Sequence, residues 1–247
     1  MRHAAGEHQP PATAVYLRQL LSGRDFARDD EIAVEMRNYA YAVGDRGSGE
    51  ALLVDPAYAP DELVDLLAGD GMRVVGAVLT HYHADHAGGS MAGHALAGIA
   101  ELLGSVDVPV HVQKAERPWV ERTTGVAPGS LVAHDPGDVL CVGSVEVELL
   151  HTPGHTPGSQ CLLVRGTLLT GDTLFLRGCG RTDLPGGDPG ELYESLVRGL
   201  AALPPSTVVM PGHAYDPAPS ASLETLVAVN PVLFPQTREQ WTARFAR

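Results

Sequence analysis

A chain of 247 residues with 44% apolar and 19% charged residues can bury a layered core, and no apolar run in it is long enough to cross a bilayer. Acids outnumber bases 30 to 17, the formal charge is −13 and Lys114 is the one lysine, which excludes nucleic-acid backbone as the natural partner. Three cysteines, Cys141, Cys161 and Cys179, are too few and odd in number for a disulfide framework, so reduced thiols in a cytoplasm are expected.

Residues 1–13 are polar, hold His3 and His8 beside a Pro-Pro pair and lack an apolar h-region; they read as a disordered segment and not as a secretory signal. The remainder, 14–247, reads as one domain. Residues 14–22 read as a first strand, 37–44 as a second and Ala51–Val54 as a third, the polar DRGSGE turn making a hairpin of the last two. The third strand ends at Asp55, which is either a turn former or the acceptor of a ligand histidine's distal N–H. Pro60 opens a helix through about Leu67 with Asp61 and Glu62 in its first turn, and Gly69 and Gly71 end it.

Val74, Val75, Val78 and Leu79 then lead into THYHADHAGGS, residues 80–90. Imidazole and carboxylate are ligands that zinc and iron accept, and His81, His83, Asp85 and His86 supply four of them within six positions. Residues two apart at a strand end point to one side, so His81 and His83 can close on one ion, while Asp85 and His86 are free to face a second. A solvated loop or a packed core accounts poorly for such a run.

The spacing of Met91, Ala95, Ile99 and Leu102 predicts a helix over 91–103, with His94 and Glu101 as structural or surface residues. Residues 109–113 read as a short strand carrying His111, and 116–121 as a short helix carrying Trp119. The segment 123–138 reads as a loop, a candidate cleft wall or lid, and His134 in it has no motif support. Two strand pieces over 139–150, hinged at Gly143-Ser144, deliver the chain to HTPGHTPGS at 151–159. His151 and His155 are both candidates there, with His155 preferred at the apex of a turn that prolines and glycines hold rigid. After the strand Cys161–Val164, the stretch 168–183 places Asp172 where an apolar strand runs out, as a carboxylate able to bridge two ions. TVVMPGHAY at 207–215 repeats the arrangement with His213. GCGRTD is glycine-rich but has neither the Gly-Lys-Ser/Thr nor the GxGxxG context of a phosphate loop. Helices are expected over Glu191–Leu203 and near Ser222–Val229 and Arg238–Phe245.

HxHxDH at 81–86, followed by His155, Asp172 and His213 each after a strand, resembles the metallo-β-lactamase superfamily from about residue 14 to residue 235. That resemblance implies an α/β fold, a four-layer αβ/βα sandwich with metals at one edge of two facing sheets. It implies that His81, His83 and His155 hold a first divalent ion, that Asp85, His86 and His213 hold a second, and that Asp172 bridges them. TGDTLF and GCGR resemble the glyoxalase II-like branch, which includes hydroxyacylglutathione hydrolases and persulfide dioxygenases. GCGRTD and the pair His213…Asn230-Pro231 look more like the dioxygenases and the small hydrolases. Only 34 residues follow His213, where full-length glyoxalase II has a longer basic helical region, and residues 91–135 look longer than in the dioxygenases. Arg181 and Tyr215 resemble thiol-substrate contacts.

The resemblance implies a thioester hydrolase with two divalent ions, zinc first and iron or mixed metals as alternatives. Asp85 and Asp172 are its catalytic carboxylates, Asp85 orienting the attacking hydroxide, and Asp55 supports the ligands from behind. The alternative is a persulfide dioxygenase with one iron on His81, His155 and Asp172, the two-His, one-carboxylate pattern. The expected partner is a small-molecule thioester or thiol-derived compound, with neither nucleic acid nor membrane. A structural zinc site is disfavoured because such sites are mostly closed and cysteine-rich.

Overall fold

The computed structural model describes residues 15–245, and the segment 1–13 with His3 and His8 lies outside the described residues. The first half runs β1 (Val15–Leu21), α1 (Glu31–Met36), β2 (Tyr39–Asp45), β3 (Glu50–Val54), α2 (Pro60–Gly69), β4 (Arg73–Val78), α3 (Ala84–Ala87), β5 (Gly89–Met91), β6 (His94–Leu96), α4 (Ile99–Ser105), β7 (Val110–Gln113), α5 (Arg117–Thr124) and β8 (Leu131–His134). The second half runs β9 (Val139–Val142), β10 (Val145–His151), β11 (Gln160–Val164), β12 (Thr167–Leu169), α6 (Pro189–Tyr193), β13 (Val208–Met210), β14 (Ala221–Ser222), α7 (Leu223–Val229) and α8 (Arg238–Phe245).

Two six-stranded sheets result, in the orders β1-β2-β3-β4-β7-β8 and β14-β13-β12-β11-β10-β9. The register of β3 shows how they stack, because successive side chains on a strand face opposite sides. Leu52 and Val54 join Val147, Leu149 and Leu162 in a core between the sheets. Ala51 and Leu53 face the other way, against Leu63, Leu67, Ile99 and Leu102 of the first helical layer. Leu168 and Val209 of the second sheet pack outward on Leu192, Leu196, Leu223 and Leu226. The fold is therefore α/β in four layers, helices on sheet on sheet on helices. No helix among the described residues is long and apolar enough to cross a membrane.

The expected helix over 91–103 is not formed as one element. Ala92 and Gly93 take φ of 51° and 85°, the positive pair that a two-residue hairpin turn requires, and β5 pairs antiparallel with β6. Only from Ile99 does the chain become helical. The spacing of Met91, Ala95 and Ile99 is thus divided between a hairpin and a helix. The loop expected over 123–138 contains β8, which pairs parallel with β7. The helix expected over Glu191–Leu203 is broken into α6, a π-helical turn at Glu194–Gly199 and a 3-10 turn at Leu200–Ala202. Leu192, Leu196 and Leu200 are all buried. A strict repeat of four drifts around a 3.6-residue helix, and the widened turn keeps it facing the sheet. Two helices are not expected from the sequence: the single turn α3, and α1, where the Asp30 carboxylate caps the N–H groups of Ile32 and Ala33 at 2.9 and 3.0 Å.

The backbone of α4 begins in contact with α3. A Cβ on Gly98 would lie 2.2 Å from the Ala87 carbonyl oxygen, whereas one on Gly104 meets nothing within 4 Å. Gly98→Ala should therefore lower the melting temperature, while Gly104→Ala should leave it unchanged or raise it, with a gain in stability of up to about 1 kcal/mol. Equal effects in thermal denaturation would contradict this packing.

Candidate metal centre

All seven residues named from the sequence as ligands converge at one edge of the two sheets. β4 ends two residues before Thr80, His81 follows, and His83 caps the single turn of α3 that carries Asp85 and His86. His155 comes from the turn between β10 and β11, Asp172 from the residues after β12, and His213 from those after β13. Ligand atoms fall into three groups, each within 4.8 Å: His81, His83 and His155; His81, His86 and Asp172; Asp85, His86 and His213.

The outer nitrogens of four rings are tied down, which fixes where the inner ones point. His86 Nδ1 lies 2.9 Å from Asp55 Oδ2, His155 Nδ1 2.7 Å from the Arg181 carbonyl oxygen and His213 Nδ1 2.8 Å from that of Met36. The Thr80 hydroxyl donates to Asp55 at 2.6 Å and can accept from His81 Nδ1 at 3.0 Å. His83 instead presents Nδ1 inward, 3.0 Å from His155 Nε2. Close approach of backbone completes the arrangement: a Cβ on Gly212 would lie 2.6 Å from Asp172 Oδ1, and one on Gly180 2.7 Å from His155 Nδ1.

Asp172 stands between the groups. Its Oδ1 is 3.3 Å from His86 Nε2 and 3.4 Å from His213 Nε2, and its Oδ2 is 3.7 Å from His155 Nε2. Of the inward-facing atoms, His81 Nε2 and Asp172 Oδ1 are buried without a hydrogen-bond partner. Buried polar atoms are rarely left so, and a divalent cation fits this set of imidazoles and carboxylates.

Electrostatics divide the rings. Burial, together with the neighbouring imidazoles, pushes His81 well down and His83 down to about 4. Burial acts the same way on His86 and His213, but Asp85 and Asp172 outweigh it, holding His86 well above its ordinary value and His213 at about 9. Burial alone would raise Asp172, yet His213 and His86 hold it well below the usual carboxylate range.

His94 is exposed on β6, and His134 bonds to His111 and Asp138, so neither joins the centre. His151 is turned away, its Nε2 2.9 Å from the Pro157 carbonyl oxygen. Arg181 and Tyr215 both line a cavity of about 690 Å³ over the ligands. Arg181 is paired with Asp183, and Tyr215 stacks on His213 at 4.6 Å.

Two residues at the centre have no signature in the sequence. The Asn38 amide nitrogen lies 3.0 Å from Asp85 Oδ2, 3.2 Å from His86 Nε2 and 3.4 Å from His213 Nε2, and its oxygen accepts from Tyr58 at 2.9 Å. Asn38 stands at the mouth of β2, the only hint available beforehand. Glu116 is buried and joins the two ligand loops. It accepts from the Tyr82 N–H at 2.7 Å on one side and from the Thr156 hydroxyl at 2.8 Å and the Gly158 N–H at 2.6 Å on the other. Burial raises it to about 7.

Residues 35–213 match the metallo-beta-lactamase superfamily, and the chain belongs to it. It is 39% identical over 178 residues to hydroxyacylglutathione hydrolase of Anaeromyxobacter dehalogenans, covering 72% of this chain and 62% of that protein. It is 34% identical over 199 residues to the mitochondrial persulfide dioxygenase ETHE1 of Homo sapiens, covering 79% and 71%. The crystal structure of ETHE1 from Myxococcus xanthus superimposes with a TM-score of 0.75 at 29% identity, over 93% of this chain and 89% of that one. Members of the superfamily bind divalent metals, as the histidine and aspartate groups here are suited to do.

Two measurements follow from these contacts. Without metal, His213 at about 9 and His86, also raised, contribute stability that is complete below the unfolded value of about 6.5; the His213 share is lost as pH rises through 9. An ion must displace those protons, so zinc affinity, read by chelator competition, should rise about tenfold or more per pH unit from 6 to 8; a flat profile would mean the rings are already neutral. In Glu116→Gln, one of three donors faces an amide NH₂, at a cost of about 1–3 kcal/mol. Zinc affinity should drop about 10- to 100-fold with the melting temperature lowered, and an unchanged affinity would free Glu116 of any part in spacing the loops.

Proposed function

We propose that the protein is a metal-dependent thioester hydrolase. The carrying observation is Asp172, one oxygen towards His86 and His213 and the other towards His155, as two ions sharing a carboxylate need. His81, His83 and His155 would hold one divalent ion, zinc in the first instance, and Asp85, His86 and His213 a second, with Asp172 between them. Ions so held lower the pKa of water from near 16 towards about 7 and draw negative charge from a carbonyl oxygen.

The remaining work falls to the chain. Asp85 lines the cavity and orients the attacking water, while the amide of Asn38 fixes Asp85 Oδ2 at 3.0 Å. Attack forms a C–O bond and breaks the C–S bond, giving a carboxylic acid and a thiol. A thiolate whose conjugate acid has a pKa of about 8.5 leaves without a strong proton donor, and none is required of the protein. Tyr215 and Arg181 both line the cavity, which supports reading them as residues the substrate would meet. A charge of −13 favours a small-molecule partner over nucleic acid, and the free cysteines suit a cytoplasmic setting.

A second reading has its own support. The Asn38 amide already donates to Asp85 Oδ2 of the second group at 3.0 Å, whereas His81 Nε2 in the first group has no partner. A single iron on His81, His155 and Asp172 would suit oxidation of a persulfide, the reaction named for the human relative.

Metal analysis and turnover separate the two. Hydrolysis predicts close to two ions per chain, release of free thiol from a thioester, and loss of both metal and at least 100-fold of the turnover in Asp172→Ala. One iron per chain with O₂ uptake on a glutathione persulfide would replace the hydrolase reading with the dioxygenase.

A further inference from the structure

The cavity over the ligands has walls of an unexpected character for a charged thiol. Met36, Met91 of β5, Phe175, Leu184 and Tyr215 all line it. Phe175 packs edge-on against Tyr215 at 5.2 Å, and Tyr215 remains 58% exposed, a large aromatic surface at the rim. Exposed apolar surface gathered in a concavity marks the place where an apolar group is taken out of water.

The charges point the same way. Arg181 is the only Lys or Arg among the described residues lining the cavity. Its guanidinium is already engaged by both oxygens of Asp183, at 2.6 Å each. A thiol bearing two carboxylates is recognised by free, preferably bidentate cations, and here the one Lys or Arg among the described lining residues has a carboxylate of its own.

We propose that the cavity takes an uncharged, apolar acyl chain, packed between Met91 and the Phe175–Tyr215 pair, joined to a thiol recognised without an ion pair. This deepens the hydrolase reading and rests on it. Bond changes are those of hydrolysis already given, and only the groups on either side of the thioester are specified. The β5–β6 hairpin becomes the element that sets chain length, since it brings Met91 over the ligands.

The test uses zinc-loaded full-length protein and two series of thioesters, acetyl to octanoyl, on neutral N-acetylcysteamine and on glutathione. Each added methylene should raise kcat/KM about fourfold until the cavity is full. Hexanoyl-N-acetylcysteamine should exceed lactoylglutathione by at least tenfold, and Met91→Ser should flatten the chain-length slope. In calorimetry, the hexyl thioether of N-acetylcysteamine should bind more tightly than S-methylglutathione. A flat slope, or glutathione esters preferred at every length, would overturn the substrate class while leaving hydrolysis standing. No turnover of any thioester, with O₂ uptake on a persulfide, would remove the hydrolase reading and this proposal with it.

Discussion

The contact on which the arrangement depends is the placing of one carboxylate, Asp172, between two groups of imidazoles. Inward-facing lone pairs this close are desolvated and repel one another unless protons or a cation are shared among them. In the structure the burden is divided: protonation suits His86 and His213, beside the carboxylates, while His81 and His83 are driven neutral. Much of the surrounding fold keeps this unfavourable assembly from relaxing. Three rings are held from behind by Asp55 and by the carbonyls of Arg181 and Met36, each on a different segment. The two sheets supply the frame because their ends bring five distant stretches of chain to one edge.

How much of this could be read beforehand depends on whether a residue's partners are near it in sequence. His81, His83, Asp85 and His86 announce themselves within six positions, and His155, Asp172 and His213 each follow an apolar run that ends abruptly. Asn38 and Glu116 carry no such mark. Asn38 meets Asp85, 47 positions away, and Glu116 meets Thr156, 40 positions away, so only the folded chain reveals them. The β5–β6 hairpin was hidden for a different reason. Its apolar residues fit a helical period equally well, and the deciding feature is the positive φ of Ala92, which an alanine does not advertise.

Strain and buried charge collect around the same ligands. Asp55 and Tyr58 take φ of 52° and 71° without being glycine, and these two hold His86 and Asn38. Such conformations persist only where the surroundings over-determine them. Glu116 is similar: a carboxylate without a cation partner, kept buried because three donors from two loops converge on it. Burial that raises it to about 7 is a destabilising contribution at neutral pH, since the folded state disfavours the charged form. Stability is therefore given up to hold the His81–His83 loop at a fixed distance from His155.

The two halves of the centre are not equivalent, and Asn38 is the reason. Its NH₂ group donates to Asp85 Oδ2 at 3.0 Å, and His86 and His213 hold protons beside Asp172, so the second group is partnered in the absence of an ion. His81 Nε2 has nothing comparable. An ion entering the first group thus gains interactions with atoms otherwise unsatisfied, while one entering the second competes with an amide and with the protons of His86 and His213. The first group should fill before the second. Hydrolysis by a pair of ions needs both filled, and chemistry at one iron needs only His81, His155 and Asp172. The choice between the two activities is then not written in the seven ligands, which serve either. It rests on whether the Asn38 amide, anchored by Tyr58, gives way to a second cation or keeps its place.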